Sequence, residues 1–152
     1  MKVGVFLVLF SQRPFDEALD YVKAAGCEAV EIGCGGYPGG AHCNPAELLA
    51  DDAKLKAFQQ AIESRGLEIS ALSCHGNPLH PNAEIAKAHD RDFRDTVRLA
   101  QKMGVRNVIT FSGCPGDSDT AQKPNWVTCP WPPDFREVHD WQWREKVAPY
   151  WA

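Results

Sequence analysis

The chain has 152 residues, 44% hydrophobic and 24% charged, with a formal net charge of −4. That make-up fits one ordinary globular domain, long enough to bury a core without a staple of disulfides or a metal. Mixed charges without a basic stripe argue against a nucleic-acid partner, and no apolar run approaches the roughly 20 residues that cross a bilayer.

Met1-Lys2 and the apolar run Val3 to Phe10 have the outline of a short leader, but Ser11-Gln12-Arg13 follows at once without a cleavage site. The run is read instead as a first strand, residues 3–10, of a cytoplasmic protein. A helix opens near Pro14 with Phe15, Ala18, Leu19, Val22 and Ala25 on one face. It ends at Gly26, and the apolar residues 28–33 form a second strand. The glycine-rich stretch Gly33 to Gly40 lacks the lysine and the serine or threonine of a phosphate loop, and reads as a flexible loop near a site. Asn44-Pro45-Ala46-Glu47 supplies a cap, a first-turn proline and a capping glutamate for the next helix, whose stripe is Leu55, Phe58 and Ile62. Gly66 stops it before a third strand at 67–74. A long helix from about Asn82 to Met103, with Ile85, Phe93, Val97, Leu99 and Ala100 inward, ends at Gly104 before a fourth strand at 106–112. Residues 114–133 are a Pro- and Trp-rich loop, and 134–152 begin a fourth helix with Trp141, Trp143, Val147 and Trp151 on one side.

The helix-ending glycines Gly26, Gly66 and Gly104 lie 40 and 38 positions apart. Each sits where glycine takes a left-handed conformation cheaply, and the repeat describes βα units around a parallel sheet. The strands are near-continuous apolar runs, as expected of strands covered on both faces. No G-x-G-x-x-G follows the first strand, which argues against a dinucleotide fold and leaves a barrel or a flavodoxin-like sheet. At roughly 39 residues per unit an eight-unit barrel needs about 310 residues, so 152 residues would hold half of one. The six cysteines, at 27, 34, 43, 74, 114 and 129, contain no C-x-x-C pair and match no zinc template. They read as free thiols in a reducing cytoplasm.

Several segments together resemble one family. Gly26 to Ile32 is similar to the second strand of xylose isomerase-like barrels. Leu72-Ser73-Cys74-His75-Gly76-Asn77-Pro78-Leu79-His80-Pro81 resembles the end of their third strand, and Phe93 to Val105 their third helix. Val108 to Gly113 resembles the fourth strand and Trp143 to Trp151 the opening of the fourth helix. The resemblance covers the whole chain and implies an α/β fold with parallel strands: residues 1–152 as the N-terminal half, about four βα units, of a (β/α)₈ TIM barrel. It also implies a sugar or sugar-phosphate isomerase or epimerase. In that family a divalent metal (Mn, Mg, Co or Zn) polarises carbonyl and hydroxyl oxygens while a carboxylate moves a proton. The family's metal ligands come from later strands and would follow Ala152, so the resemblance gives this chain no catalytic or metal-binding residue and makes it inactive alone.

Four residues are candidates for touching a sugar. His75 stands at the carboxyl end of the third strand, where the sites of such barrels gather. Glu31 is a carboxylate inside an apolar strand, costly there unless paired or used. Phe10, at the predicted end of the first strand, offers an apolar wall, and Ser112 offers a hydroxyl at the end of the fourth. The expected partners are a small sugar or sugar phosphate and either the missing C-terminal half of a barrel or a second copy of the chain. Two alternatives remain: a metal-dependent endonuclease of the same fold, or a non-catalytic half-barrel assembly module.

Overall fold

A computed structural model describes residues 1–152. They form two compact units, one of residues 1–75 with 91–110 and the other of 76–90 with 111–152.

The first unit holds a parallel sheet in the order β1-β2-β3-β4, made of Gly4–Phe6, Ala29–Gly36, Glu68–His75 and Val108–Thr110. The connecting helices are α1 (Phe15–Ala24), α2 (Pro45–Ala50), α3 (Asp52–Glu63) and α4 (Ala83–Met103), the last contributing residues from Arg91 onward to this unit. The helix-ending glycines have φ of 83°, 64° and 72°, the left-handed conformation the repeat required. Where one continuous helix was expected after Asn44, there are two. Asp51 takes an extended conformation and its Oδ1 accepts the N–H groups of Ala53 and Lys54 at 2.9 and 3.1 Å, which starts a new helix.

The strand register sorts side chains to two faces. Val5 pairs with Val30, Ile32 with Leu72, and Leu72 with Val108. These residues belong to one apolar core with Leu19 and Val22 of α1, Leu55, Phe58 and Ile62 of α3, and Leu99 and Ala100 of α4. The pairing slips between Val30 and Glu31, where Ser70 has no partner across the ladder, and again between Gly33 and Gly36. Its hydroxyl donates to the Val30 carbonyl at 3.1 Å, and the bulge puts Ile69 and Leu72 on the same face although they are three residues apart.

The inward stripe of α4 differs from the sequence expectation. Thr96, Leu99 and Ala100 are buried, whereas Val97 and Ile85 are exposed. The stripe runs i, i+3, i+4, and the Thr96 hydroxyl is satisfied by donating to the Asp92 carbonyl at 2.7 Å. A polar residue with a local partner thus takes a core position that hydrophobicity alone assigns to its neighbour.

In the second unit two side chains tie down chain without regular structure. Asn77 accepts the N–H groups of Leu79 and Cys114 at 3.1 and 2.8 Å and donates to the Cys114 carbonyl at 2.8 Å. Its own backbone N–H donates to His89 Nδ1 at 2.9 Å, which places the neutral ring's proton on Nε2. Gln142, fully buried, accepts the Val127 N–H at 3.1 Å and donates to the carbonyls of Gly116 and Asn125 at 3.1 and 2.7 Å. The final helical stretch is α5 (Pro133–Trp141), a π-helical segment (Gln142–Val147) and α6 (Ala148–Trp151). The widened turn buries Gln142 and Val147, five residues apart, while Trp143 and Trp151 are exposed.

Leu72→Ala, in the middle of the core, should lower unfolding stability by about 2–5 kcal/mol, measured as a shift in denaturant midpoint at unchanged slope. Gln142→Ala removes three loop-pinning hydrogen bonds and should speed limited proteolysis within residues 117–131 several-fold, with little change elsewhere.

Candidate functional site

The sheet face opposite the core carries Phe6, Glu31, Gly33, Ser73 and His75. Phe6 is paired with Glu31 and Gly33 with Ser73, so these residues sit side by side near the carboxyl ends of three strands. Ser73 is fully buried, and its hydroxyl donates to Glu31 Oε1. That bond gives a half-buried carboxylate a fixed orientation and offsets part of its desolvation. The rings of Phe6 and His75 meet edge to face, with centroids 5.9 Å apart and planes at 68°.

Gly33 is small for a reason. A Cβ there would lie 3.2 Å from the Gly39 carbonyl oxygen and 3.6 Å from the Phe6 ring, so the glycine lets the following loop close against the strand. The loop is held further by the Tyr37 N–H donating to the His75 carbonyl at 2.9 Å and by His42 Nε2 against the Arg13 carbonyl at 2.9 Å.

Of the four residues proposed from sequence, Glu31 and His75 lie together on one sheet face of the first unit, Phe10 packs on α1, and Ser112 belongs to the second unit. Phe10 is not at a strand end: β1 stops at Phe6, and Leu7–Phe10 form a 3₁₀ turn that aims Phe10 at Tyr21 of α1, ring centroids 5.3 Å apart. The apolar wall beside His75 is Phe6 instead. Ser112 lies two residues beyond the end of β4, in the second unit, exposed, with its carbonyl accepting the Trp151 indole N–H at 2.8 Å. Sequence reading passed over Phe6 and Ser73. Ser73 carried a usable signal, since it stands two positions before His75 on an alternating strand.

No group of three or more His, Cys, Asp or Glu side chains gathers where it could hold a metal ion. The residues of this chain therefore do not fit, by themselves, the divalent ion that the resemblance implies.

Cys34 and Cys43 flank the loop, both 2% exposed, and the Cys34 thiol donates to the Cys43 sulfur at 3.3 Å. That bond and burial together push the Cys34 thiol far above its ordinary 9.0. Burial likewise raises Cys74, against its hydrogen bond with Thr96, which lowers it.

A parallel βα repeat with an acid, a hydroxyl, an imidazole and an aromatic ring gathered at its strand ends defines a βα-barrel protein with a candidate small-molecule site. The chain belongs to the xylose isomerase-like TIM barrel family, whose family model matches residues 19–145. It is 37% identical over 154 residues to the uncharacterized protein YfiH of Bacillus subtilis (strain 168), covering 99% of this chain and 49% of that protein. Among solved structures it is similar to D-psicose 3-epimerase crystallised in the presence of D-fructose, with a TM-score of 0.52 and 14% identity. That match covers 82% of this chain and 42% of the epimerase, and at such low identity it shows the fold alone. The chain thus spans about half the length of the relatives it matches. No helix is long and apolar enough to cross a membrane.

A buried thiol with a raised pKa favours the folded state fully at pH below the unfolded thiol's value, and that stabilisation is lost as pH rises past it. The denaturant midpoint should therefore fall as pH increases above about 9.0, and Cys34→Ser should flatten the fall; an unchanged slope in the variant would count against the assignment.

Proposed function

We propose that this chain supplies the sugar-contacting N-terminal half of a sugar or sugar-phosphate isomerase or epimerase. The observation that carries the reading is the single cluster of Phe6, Glu31, Ser73 and His75 on one face at the carboxyl ends of parallel strands, in a chain of this family.

Each group has a role suited to a polyhydroxy ligand. Ser73 occupies Glu31 Oε1 and leaves Oε2 to accept a sugar hydroxyl proton in a hydrogen bond. His75, braced edge-on by Phe6, adds an imidazole to the polar groups that face a sugar hydroxyl. The Phe6 ring covers the apolar C–H side of the sugar. Around such a ligand the loop of residues 35–42 limits access of water. In such an enzyme a divalent metal would polarise the reacting carbonyl, and the cluster of this chain would orient the sugar beside it. The outer edges of β1 and β4 each lack a neighbouring strand, and the remaining strands of one closed barrel cover them, either from the rest of the protein or from a second copy.

Structural similarity to an epimerase acting on D-psicose makes ketohexoses the first substrates to try. Incubated with D-fructose or D-psicose in D₂O and divalent metal, the full-length protein should place deuterium on the carbon beside the carbonyl, read by NMR. Inversion at that carbon assigns an epimerase, and appearance of an aldose assigns an isomerase. Glu31→Gln and His75→Ala should each lower kcat/KM by roughly tenfold or more. Absence of exchange with a panel of ketoses, aldoses and their phosphates would overturn the reading.

A further inference from the structure

We propose that Cys34 and Cys43 form a redox modification site, at which a peroxide joins the two thiols into a disulfide that locks the glycine-rich loop between them. The inference rests on the sulfur pair and its surroundings, and holds whatever the ligand of the neighbouring site.

The pair is preformed. Cys34 lies in β2 and Cys43 immediately precedes Asn44, the cap of α2, so two regular elements hold the cysteines at the feet of one loop. Their sulfurs are 3.3 Å apart, and an approach of about 1 Å brings them to the disulfide bond length of about 2.05 Å. The loop between them, Gly35-Gly36-Tyr37-Pro38-Gly39-Gly40-Ala41-His42, contains four glycines and can absorb so small a shift. The other cysteines do not share this arrangement: Cys27, Cys114 and Cys129 have no cysteine partner, and Cys74 is bonded to Thr96.

The surroundings suit a small oxidant. Although little of either residue reaches the surface, both line a cavity of about 390 Å³ together with Gly35, Gly40, Arg91, Asp92 and Asp95. Peroxide is small enough to reach the sulfurs through such an opening, whereas glutathione disulfide is bulky. The chemistry balances in two steps. One thiol attacks a peroxide oxygen, the O–O bond breaks, and a sulfenic acid and one water form. The second thiol then attacks that sulfur, the S–O bond breaks, and the disulfide and a second water form. Two thiols are oxidised by two electrons, and the peroxide is reduced by the same two. Because the Cys34 thiol is held protonated, the first step should be slow near neutral pH and faster as pH rises.

The consequence falls on the loop that carries Tyr37 and Gly39 against His75 and Gly33. With its feet joined, the loop loses the freedom to lift from the strand ends.

The test uses the native full-length protein, treated with hydrogen peroxide, quenched with catalase, unfolded, alkylated and digested after glutamate. The fragment Ile32 to Glu47 contains Cys34 and Cys43 and no other cysteine. After oxidation it should carry no alkyl group and weigh two hydrogens less than the unmodified peptide, and dithiothreitol should restore two alkylation sites. Cys34→Ser and Cys43→Ser should each abolish the change, while Cys74→Ser should leave it intact. A folded wild-type protein whose fragment still takes two alkyl groups after peroxide, or a linkage of either cysteine to Cys74, would overturn the proposal. The wild-type and Cys74→Ser arms decide the matter even if the other variants fail to fold.

Discussion

Parallel pairing under a layer of helices is the constraint on which everything else in the first unit depends. Once Val30, Ile32 and Cys34 of β2 are committed to the core beneath α1 and α3, strand alternation leaves Glu31 and Gly33 no choice of face. The bulge at Ser70 then matters a great deal. Without that extra residue β3 would turn Ser73 and His75 into the core, and Glu31 would lose its hydrogen-bonding partner. The polar cluster is therefore a by-product of how the core is packed, fixed by one unpaired residue in one strand.

Much of this architecture was legible beforehand, because its punctuation is chemical. Gly26, Gly66 and Gly104 mark helix ends through a backbone conformation other residues avoid, and that signal survives without any knowledge of packing. The site was legible in half. His75 and Glu31 announce themselves as polar groups in apolar strands, but their companions required the register. The run Val3 to Phe10 is uniformly apolar, and hydrophobicity does not say that the strand ends at Phe6 and a 3₁₀ turn follows. The tail defeated helical periodicity in another way, since a widened turn buries residues at a spacing of five and brings a glutamine inward. Cys34 and Cys43 were illegible for a third reason: their separation matches no local motif, and only the fold of the intervening loop brings them together.

In the second unit, order comes from polar side chains in place of a large apolar core. Asn77 and Gln142 each satisfy several backbone groups of chain that has no sheet or helix to pair with. Such hubs trade hydrophobic area for geometric precision, and each is sensitive to loss because several backbone groups go unpaired together. The contrast with the first unit, where apolar packing dominates, means that the two respond to different kinds of substitution.

The aromatic residues are divided just as unevenly. All five tryptophans, at 126, 131, 141, 143 and 151, belong to the second unit, and the unit holding the sheet and the polar cluster has none. Intrinsic indole emission consequently reports on the loop and tail alone and is blind to the βα core. Far-ultraviolet dichroism, by contrast, is weighted toward the sheet and its helices. The tryptophans thus give the second unit an optical probe of its own, so that its melting can be followed without a label, while the far-ultraviolet signal follows the secondary structure of both units.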